Sequence, residues 1–229
     1  MLIAENIAKI EERIQKACAV SGRKREEITL MGVSKFHPIE FVEEAWQGGI
    51  RCFGESRVRE GAEKFEGFRE GRSGAELHLI GTLQRNKAKT AAVAFDCIQS
   101  LDRENLIGEL AKCAGGKVLP VLLELHTGEE SKSGFVGLDE LFSAAELALG
   151  FSSLRPRGLM TMAPFTADTE RIRASFRLLA KAQKELERRF PPAENWSCLS
   201  MGMSGDFEIA IQEGATLLRI GSAIFGERL

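Results

Sequence analysis

The N-terminal segment repeats apolar side chains at spacings of three and four residues. Ile3, Ile7, Ile10 and Ile14 follow one another in this way, with mostly charged and amide side chains between them. Because an α-helix places such positions on one face, the segment predicts an amphipathic helix that buries its isoleucine side. The polar segment 21–23 ends the pattern.

Beyond this helix, short apolar runs alternate with stretches of helical periodicity. The runs predict eight strands, at 28–33, 50–53, 77–80, 94–98, 118–125, 157–160, 197–200 and 217–220. Helical patterns lie between them, at 38–47, 57–68, 86–92, 103–113, 139–149, 169–189 and 206–213. Strands that are joined by helical crossovers are parallel, and their sheet is covered on both faces.

The number of these units points to one fold within the α/β class. Eight units in 229 residues favour a closed (β/α)8 TIM-type barrel over a doubly wound open sheet, which usually has fewer strands. No Pro/Gly/Ser-rich linker, low-complexity tract or solenoid period divides the chain. We therefore expect a single barrel domain over 1–229 with an extra N-terminal helix, and a surface loop at the glycine-rich segment 68–75.

Composition and charge exclude several classes of protein. Hydrophobic residues make up 44% and charged residues 28%, as in ordinary folded proteins. The formal net charge of -2 gives no general attraction to nucleic acid or to anionic lipid. No apolar run reaches the roughly 20 residues of a membrane helix, and the first residues lack a signal-peptide pattern. We expect a cytoplasmic protein that contacts neither nucleic acid nor membrane.

Cysteine and tyrosine usage limit the possible chemistry. The five cysteines are odd in number and scattered, without a C-x-x-C pair, so the spacing indicates neither a disulfide framework nor a zinc site. Most are expected to be reduced core residues. The chain contains no tyrosine, which removes phenolic acid–base catalysis.

The first candidate for chemistry follows the first predicted strand. Active groups of (β/α)8 barrels lie at the carboxyl ends of the strands, and Lys35 occupies that position in Val33-Ser34-Lys35. A partly desolvated lysine has a lowered amine pKa and can form a Schiff base with an aldehyde cofactor. Taken alone, a solvated loop lysine explains this position as well.

The last two predicted strands lead into loops of small residues. These loops are Ser200-Met201-Gly202-Met203-Ser204-Gly205-Asp206 and Gly221-Ser222-Ala223. Backbone N–H groups in such loops approach an anion closely, and (β/α)8 barrels often bind phosphate there. Ordinary helix caps, with Ser204 as an N-cap, are the alternative. Together with Lys35, the loops indicate a site for a phosphorylated aldehyde, pyridoxal 5′-phosphate.

Seven ordered motifs carry a family resemblance. They are Val33-Ser34-Lys35, Phe53-Gly54-Glu55-Ser56, His78-Leu79-Ile80-Gly81-Thr82-Leu83-Gln84-Arg85-Asn86-Lys87, Ser131-Lys132-Ser133-Gly134-Phe135, Gly158-Leu159-Met160-Thr161-Met162, Leu199-Ser200-Met201-Gly202-Met203-Ser204 and Arg219-Ile220-Gly221-Ser222-Ala223-Ile224-Phe225-Gly226. The chain resembles the pyridoxal phosphate homeostasis proteins, which share the alanine racemase N-terminal-domain barrel, fold type III among pyridoxal phosphate proteins.

The resemblance implies a set of cofactor-binding residues, and it implies neither catalytic nor metal-binding ones. The set is Lys35, Ser200, Met201, Ser204, Arg219, Gly221 and Ser222. Lys35 would hold pyridoxal phosphate through a Schiff base, Ser200, Ser204 and the Gly221 and Ser222 backbone would hold the phosphate, and Arg219 would face the pyridine nitrogen. Because a guanidinium only donates, that nitrogen would stay unprotonated, and the cofactor would be a poor electron sink.

Some positions depart from the family pattern or keep an open role. Gly54-Glu55-Ser56-Arg57 stands where the family usually reads Gly-Glu-Asn followed by Tyr or Asn, and His126 stands where asparagine is more usual. His126 either approaches the cofactor or faces solvent. Lys87 and Lys132 follow strand ends, where phosphate binding or transient aldehyde capture are the alternatives to plain exposure. We expect His78 to be a hydrogen-bonded interior histidine.

Three functions remain to be weighed. The resemblance favours a carrier that holds pyridoxal phosphate, contributes to its intracellular homeostasis and delivers it to apo-enzymes. An amino-acid racemase is the alternative, but the family's racemases take one acid–base group from a tyrosine, which this chain lacks. A barrel without a ligand leaves Lys35 and the two small-residue loops unexplained. We expect a monomer.

Overall fold

The computed structural model describes residues 2–128, 133–191 and 196–227. The strands are β1 (Thr29–Val33), β2 (Cys52–Glu55), β3 (Glu76–Leu79), β4 (Cys97–Leu101), β5 (Leu119–Glu124), β6 (Leu154–Met160), β7 (Cys198–Ser200) and β8 (Leu217–Ile220). The helices are α1 (Leu2–Ser21), α2 (Ile39–Gln47), α3 (Val58–Lys64), α4 (Ala88–Ala94), α5 (Glu104–Cys113), α6 (Gly137–Leu149), α7 (Thr169–Arg189), α8 (Phe207–Gln212) and α9 (Ser222–Phe225).

The eight strands form a closed parallel barrel. Each strand pairs with the next in chain order, and β8 returns to pair with β1 through Thr29 opposite Leu217 and Met31 opposite Arg219. This closure confirms the predicted (β/α)8 barrel. It also brings the segment after β1, which carries Lys35, beside the segment after β8.

Two apolar layers follow from the alternation of side chains along each strand. The larger layer lies between the sheet and the helices and includes Phe53, Leu77 and Phe95. Smaller clusters inside the barrel contain Met31, Val33, Cys52 and Leu217 on one side and Cys97, Leu122 and Met160 on the other. The interior is therefore packed with side chains, and a cavity can open only at its ends.

The predicted N-terminal helix is present as α1. Its buried face consists of Ile3, Ile7, Ile10 and Ile14, together with Ala17 and Cys18. The helix contacts α8 and α9, and the side-chain amide of Asn6 donates to the carbonyl of Ile224 at 3.0 Å. This contact ties α1 to the helix that follows β8.

The long helix α7 begins and ends where the periodicity predicts. Asp168 caps it by accepting hydrogen bonds from the backbone N–H groups of Glu170 and Arg171. On its charged face, Arg173 and Arg177 both form ion pairs with Glu213, at 2.6 and 3.0 Å. These ion pairs tie α7 to the residue that follows α8.

The predicted boundaries shift where an apolar residue completes a helix. The 50–53 run begins with Ile50, whose N–H bonds the Ala45 carbonyl at 3.0 Å, so this residue closes α2 and β2 starts at Cys52. The 94–98 run likewise begins with the end of α4, because the Phe95 N–H bonds the Ala91 carbonyl at 3.0 Å. Burial alone does not tell a helix end from a strand start.

The cysteines are free thiols, as expected from their spacing. Cys18, Cys52 and Cys97 are buried, and Cys113 and Cys198 are partly buried. Within the described ranges, no helix combines the length and apolarity that a membrane crossing requires.

Candidate cofactor site

A cavity of about 970 Å³ opens at the mouth of the barrel where the strands end. It is lined by five of the seven residues that the sequence assigns to cofactor binding: Lys35, Ser204, Arg219, Gly221 and Ser222. These residues come from the ends of β1, β7 and β8, which barrel closure makes neighbours. The fold thus gathers an amine, a guanidinium and small polar groups around one cavity.

Lys35 lies two residues beyond β1 and is partly buried. The next residue, Phe36, has a φ of 68°, a left-handed conformation that is unfavourable for a side chain of this size. Its backbone N–H donates to Glu60 Oε1 at 2.7 Å, and the Arg57 guanidinium lies 4.8 Å from the centre of its ring. Two contacts from the start of α3 therefore hold the turn that carries Lys35.

A buried ionic network also holds the backbone of the turn that carries Lys35. The Ser34 hydroxyl donates to Glu55 Oε1 at 2.7 Å, and Lys64 Nζ donates to the same oxygen at 2.8 Å. Lys64 Nζ also donates to the Ser34 carbonyl at 2.9 Å. Burial raises the pKa of Glu55, and the contacts from Lys64 and Ser34 oppose that rise. The backbone immediately before Lys35 is thus fixed to β2 and α3.

Arg219 is a buried cation at the base of the cavity. Only 4% of its surface is exposed, and its two terminal nitrogens donate to the Ser200 hydroxyl and the Thr161 carbonyl, both at 2.7 Å. Burial lowers the pKa of Arg219 to about 10, against the opposing charges of Asp206 and Glu124. The guanidinium therefore remains charged at neutral pH and offers only donors to the cavity.

A chain of hydrogen bonds runs from Arg219 through the barrel interior. Ser200 Oγ donates to Gln99 Oε1 at 2.6 Å, Gln99 Nε2 donates to His78 Nδ1 at 2.8 Å, and His78 Nε2 lies 3.2 Å from Glu76 Oε2. With Nδ1 accepting, the neutral imidazole carries its proton on Nε2 and donates to Glu76. Every donor then points the same way, from the cavity toward the opposite end of the barrel. His78 is the hydrogen-bonded interior histidine that the sequence predicts.

The loops after β7 and β8 meet at the side of the cavity. The Ser204 and Ser222 hydroxyl oxygens lie 3.4 Å apart, and Ser204 Oγ accepts from the Ala223 N–H, also at 3.4 Å. Both distances are long for hydrogen bonds, so these groups hold each other weakly. They can turn toward an anion in the cavity at little cost.

Ser200 and Met201 do not join this group. Ser200 is fully buried, and its hydroxyl is shared between Arg219 and Gln99. Met201 is fully buried in the apolar layer between sheet and helices. Neither residue is among the described residues that line the cavity.

The positions whose roles the sequence leaves open differ in whether they line the cavity. Ser56 lines the cavity. His126 is partly buried, shares a small hollow with Glu124 and does not line the main cavity. Lys87 is exposed on the 3₁₀ turn Arg85–Lys87 and does not line the cavity, and Lys132 lies outside the described residues.

The structure adds Glu124 and His37, which sequence reasoning missed. Glu124 ends β5, lines the cavity and is 2% exposed; burial raises its pKa, while a hydrogen bond from the Ser133 hydroxyl opposes the rise. His37 lies 5.5 and 5.4 Å from the rings of Phe41 and Phe225, and burial followed by the charge of Lys64 lowers its pKa. The sequence clue to Glu124 is its spacing of two residues from Leu122, because side chains two residues apart on a strand lie on the same face, here the inner face of the barrel.

Comparison with known proteins gives matches over nearly the whole chain. The family model for the alanine racemase N-terminal domain matches residues 3–229. The pyridoxal phosphate homeostasis protein of Aquifex aeolicus is 40% identical over 230 residues, which cover 100% of this chain and 99% of that protein.

Solved structures resemble the barrel over nearly its whole length. PipY of Synechococcus elongatus, whose structure has pyridoxal phosphate bound, superposes with a TM-score of 0.83 at 31% identity and covers 98% of this chain and 100% of its own. A histidine racemase from Leuconostoc mesenteroides superposes with a TM-score of 0.72 at 17% identity, covering 99% of this chain and 57% of the racemase. The second likeness concerns the fold alone.

Proposed function

This chain belongs to the alanine racemase N-terminal domain family and, within it, to the pyridoxal phosphate homeostasis proteins, and on that premise we propose that it binds pyridoxal 5′-phosphate through a Schiff base on Lys35. The observation that carries the proposal is the shared cavity of Lys35, Arg219 and the facing Ser204 and Ser222 hydroxyls. The cofactor needs an amine, a partner for its ring nitrogen and a cradle for its phosphate, and these residues supply all three.

The residues of the cavity fit the group in charge and in donor type. Ser204, Ser222 and the backbone at Gly221 present small polar groups that approach a phosphate closely. Packing does not require glycine at position 221, because a Cβ there would meet its nearest neighbour, the Val33 carbonyl oxygen, at an ordinary contact distance of 3.5 Å. Ser200 is engaged with Arg219 and Gln99, so we assign the phosphate to the other three residues.

Arg219 determines what the site does with the cofactor. Bound pyridoxal phosphate supplies an electron sink whose strength depends on protonation of its ring nitrogen. Arg219 is charged, is fixed by Ser200 and Thr161, and has no acceptor, so it leaves a facing nitrogen unprotonated. This favours holding the cofactor over catalysis of carbanion chemistry.

We further propose that the protein serves intracellular cofactor homeostasis and passes pyridoxal phosphate to apo-enzymes. Support comes from the rim of the cavity, where Phe165 is 98% exposed and Ser222 is also exposed, so the site is reached directly from solvent. A racemase must instead hold acid–base groups on both faces of a substrate carbon. Racemisation remains the alternative that the experiments below test.

The first experiment is visible absorbance of the purified protein, followed by borohydride reduction and peptide mapping. We expect a yellow protein whose reduced cofactor lies on the Lys35 peptide. Lys35→Ala should abolish trapping, whereas Lys87→Ala, which changes an exposed lysine outside the cavity, should leave it intact. A protein that takes up no added pyridoxal phosphate, or full trapping in Lys35→Ala, overturns the proposal.

The second experiment separates carrier from enzyme. The holo-protein should reactivate an apo-enzyme faster than an equal concentration of free pyridoxal phosphate, since direct transfer bypasses free cofactor. Equal or slower reactivation contradicts delivery. Exchange of the α-proton of amino acids in deuterated water at a catalytic rate contradicts the carrier assignment and supports the racemase.

A further inference from the structure

The end of the barrel opposite the cofactor cavity gathers a second group of reactive side chains. Cys52 begins β2 and is paired in register with Glu76, the first residue of β3, while His78 follows Glu76 by two residues on the same face of that strand. Their thiol sulfur, one carboxylate oxygen and one imidazole nitrogen all lie within 4.8 Å of one another. None of the three residues lines the cofactor cavity.

This composition is unusual for the interior of a (β/α)8 barrel. Bulky aliphatic side chains normally fill the interior layers. Here His78 is paired in register with Cys97, and the Cys52 cluster also contacts Cys198, so soft donor atoms occupy positions where leucine or valine would stabilise the core. The sequence spacing concealed this group, because its members come from two different strands and contain no C-x-x-C pair.

We propose that Cys52, Glu76 and His78 bind one divalent ion of the zinc class, with solvent as the fourth ligand. Thiolate, imidazole and carboxylate together are a donor set that Zn²⁺ favours. Once Cys52 gives up its proton, the set carries two negative charges, which neutralise a dication. Glu76 has 60% of its side chain exposed, so both an entry path and a solvent ligand are available.

The distance between the histidine and glutamate ligand atoms is close to that of a tetrahedral site, and the thiol sulfur lies within 4.8 Å of both. Metal–ligand bonds of about 2.1 Å at a tetrahedral angle place nitrogen and oxygen roughly 3.4 Å apart, and His78 Nε2 lies 3.2 Å from Glu76 Oε2. An ion would therefore replace the proton between these two atoms with little movement. Metal binding at Nε2 would put the imidazole proton on Nδ1, which lies 2.8 Å from the Gln99 side-chain amide. A flip of that amide would let its oxygen accept this proton, the outer contact that metal-binding histidines usually have, and its nitrogen would then donate to Ser200 Oγ.

The test is titration of the metal-stripped holo-protein with Co²⁺, whose thiolate bond gives a charge-transfer band and whose four-coordinate sites give intense visible bands. We expect one Co²⁺ per chain, displaced by Zn²⁺. Cys52→Ala should abolish the charge-transfer band, and His78→Gln and Glu76→Gln should each weaken Co²⁺ affinity at least tenfold.

Matched controls come from the other free thiols. Cys198→Ala removes an interior thiol that contacts the Cys52 cluster but is not a proposed ligand, and Cys113→Ala removes a partly buried thiol on α5; both variants should keep the band. A circular dichroism spectrum and a melting temperature for each variant establish that the fold is retained. Absence of the band in the parent protein, its survival in Cys52→Ala, or its loss in Cys113→Ala overturns the proposal.

Discussion

Lys64→Met tests whether the buried network beneath Lys35 holds the site together. Lys64 is 9% exposed in its side chain, and Glu55, its partner at 2.8 Å, is fully buried. Removing one partner of such a pair leaves an uncompensated buried carboxylate, at a cost of about 4 kcal/mol in the free energy of unfolding. For a chain of this length, that corresponds to a fall in melting temperature of roughly 8–16 °C.

The pH dependence of this variant has a definite sign. Burial already raises the pKa of Glu55 above its ordinary value of 4.5, and Lys64 opposes that rise, so the pKa climbs further when Lys64 is removed. Between 4.5 and the raised value, the folded state binds more protons than the unfolded state, so stability falls as the pH rises through this window. The loss caused by Lys64→Met should therefore be larger at pH 8 than at pH 5.

A double-mutant cycle with Glu55→Gln isolates the ionic contribution. In the Glu55→Gln background no buried carboxylate is left without a partner. Lys64→Met should therefore lower the free energy of unfolding by about 2 kcal/mol less than it does in the parent, a coupling within the usual range for contacting residues. Arg59→Met is the matched control, because Arg59 forms an ion pair with Glu63 on the same helix but is 82% exposed, and it should change stability by less than about 0.5 kcal/mol. Thermal unfolding followed by circular dichroism measures all four variants. A coupling near zero, or equal losses at both pH values, refutes the reasoning.

Three further changes probe the cavity. Ser200→Ala removes one of the two acceptors of Arg219 and the donor to Gln99, and thermal unfolding should show a loss of about 3 kcal/mol, or roughly 6–12 °C. A loss under 2 °C contradicts this. Glu124→Gln removes a carboxyl whose pKa is raised by burial, so its melting temperature relative to the parent should increase as the pH rises above 4.5, and a constant difference would speak against that assignment. Gly221→Ala should keep the parent melting temperature but weaken pyridoxal phosphate binding more than pyridoxal binding in an absorbance titration, whereas equal weakening would remove Gly221 from the phosphate cradle.

The order of elements was predictable from sequence because burial on both faces gives each parallel strand an apolar run. That signal fails at Ile50 and Phe95, which are as buried as strand residues but complete the turns after α2 and α4. The hydrogen bonds that distinguish these roles depend on the path of the chain. Sequence pattern alone does not contain that path.

The candidate site likewise contains residues that the sequence predicts and residues that it does not. Lys35 and the small-residue loop that carries Ser222 follow from their positions at strand ends, which any closed parallel barrel brings to one mouth. The role of Arg219 comes only from the family resemblance. The place of Ser200 could not be deduced, because the last residue of a strand points into the barrel or away from it according to register. Here register turns its hydroxyl inward, under Arg219 and away from the cavity lining.

The departure from the family pattern at Ser56 and Arg57 has two separate physical meanings. The Arg57 guanidinium covers the ring of Phe36, which has a left-handed backbone conformation next to Lys35. The arginine at position 57 therefore contacts an aromatic residue on the neighbouring loop. A cation over an aromatic face at an exposed position stabilises the contact by about 0.5–1 kcal/mol, comparable with the smaller costs of such backbone strain. Ser56 lines the cavity itself, where a hydroxyl offers shorter reach than the usual amide. The first exchange therefore supports the lysine turn, and only the second changes what a ligand in the cavity would contact.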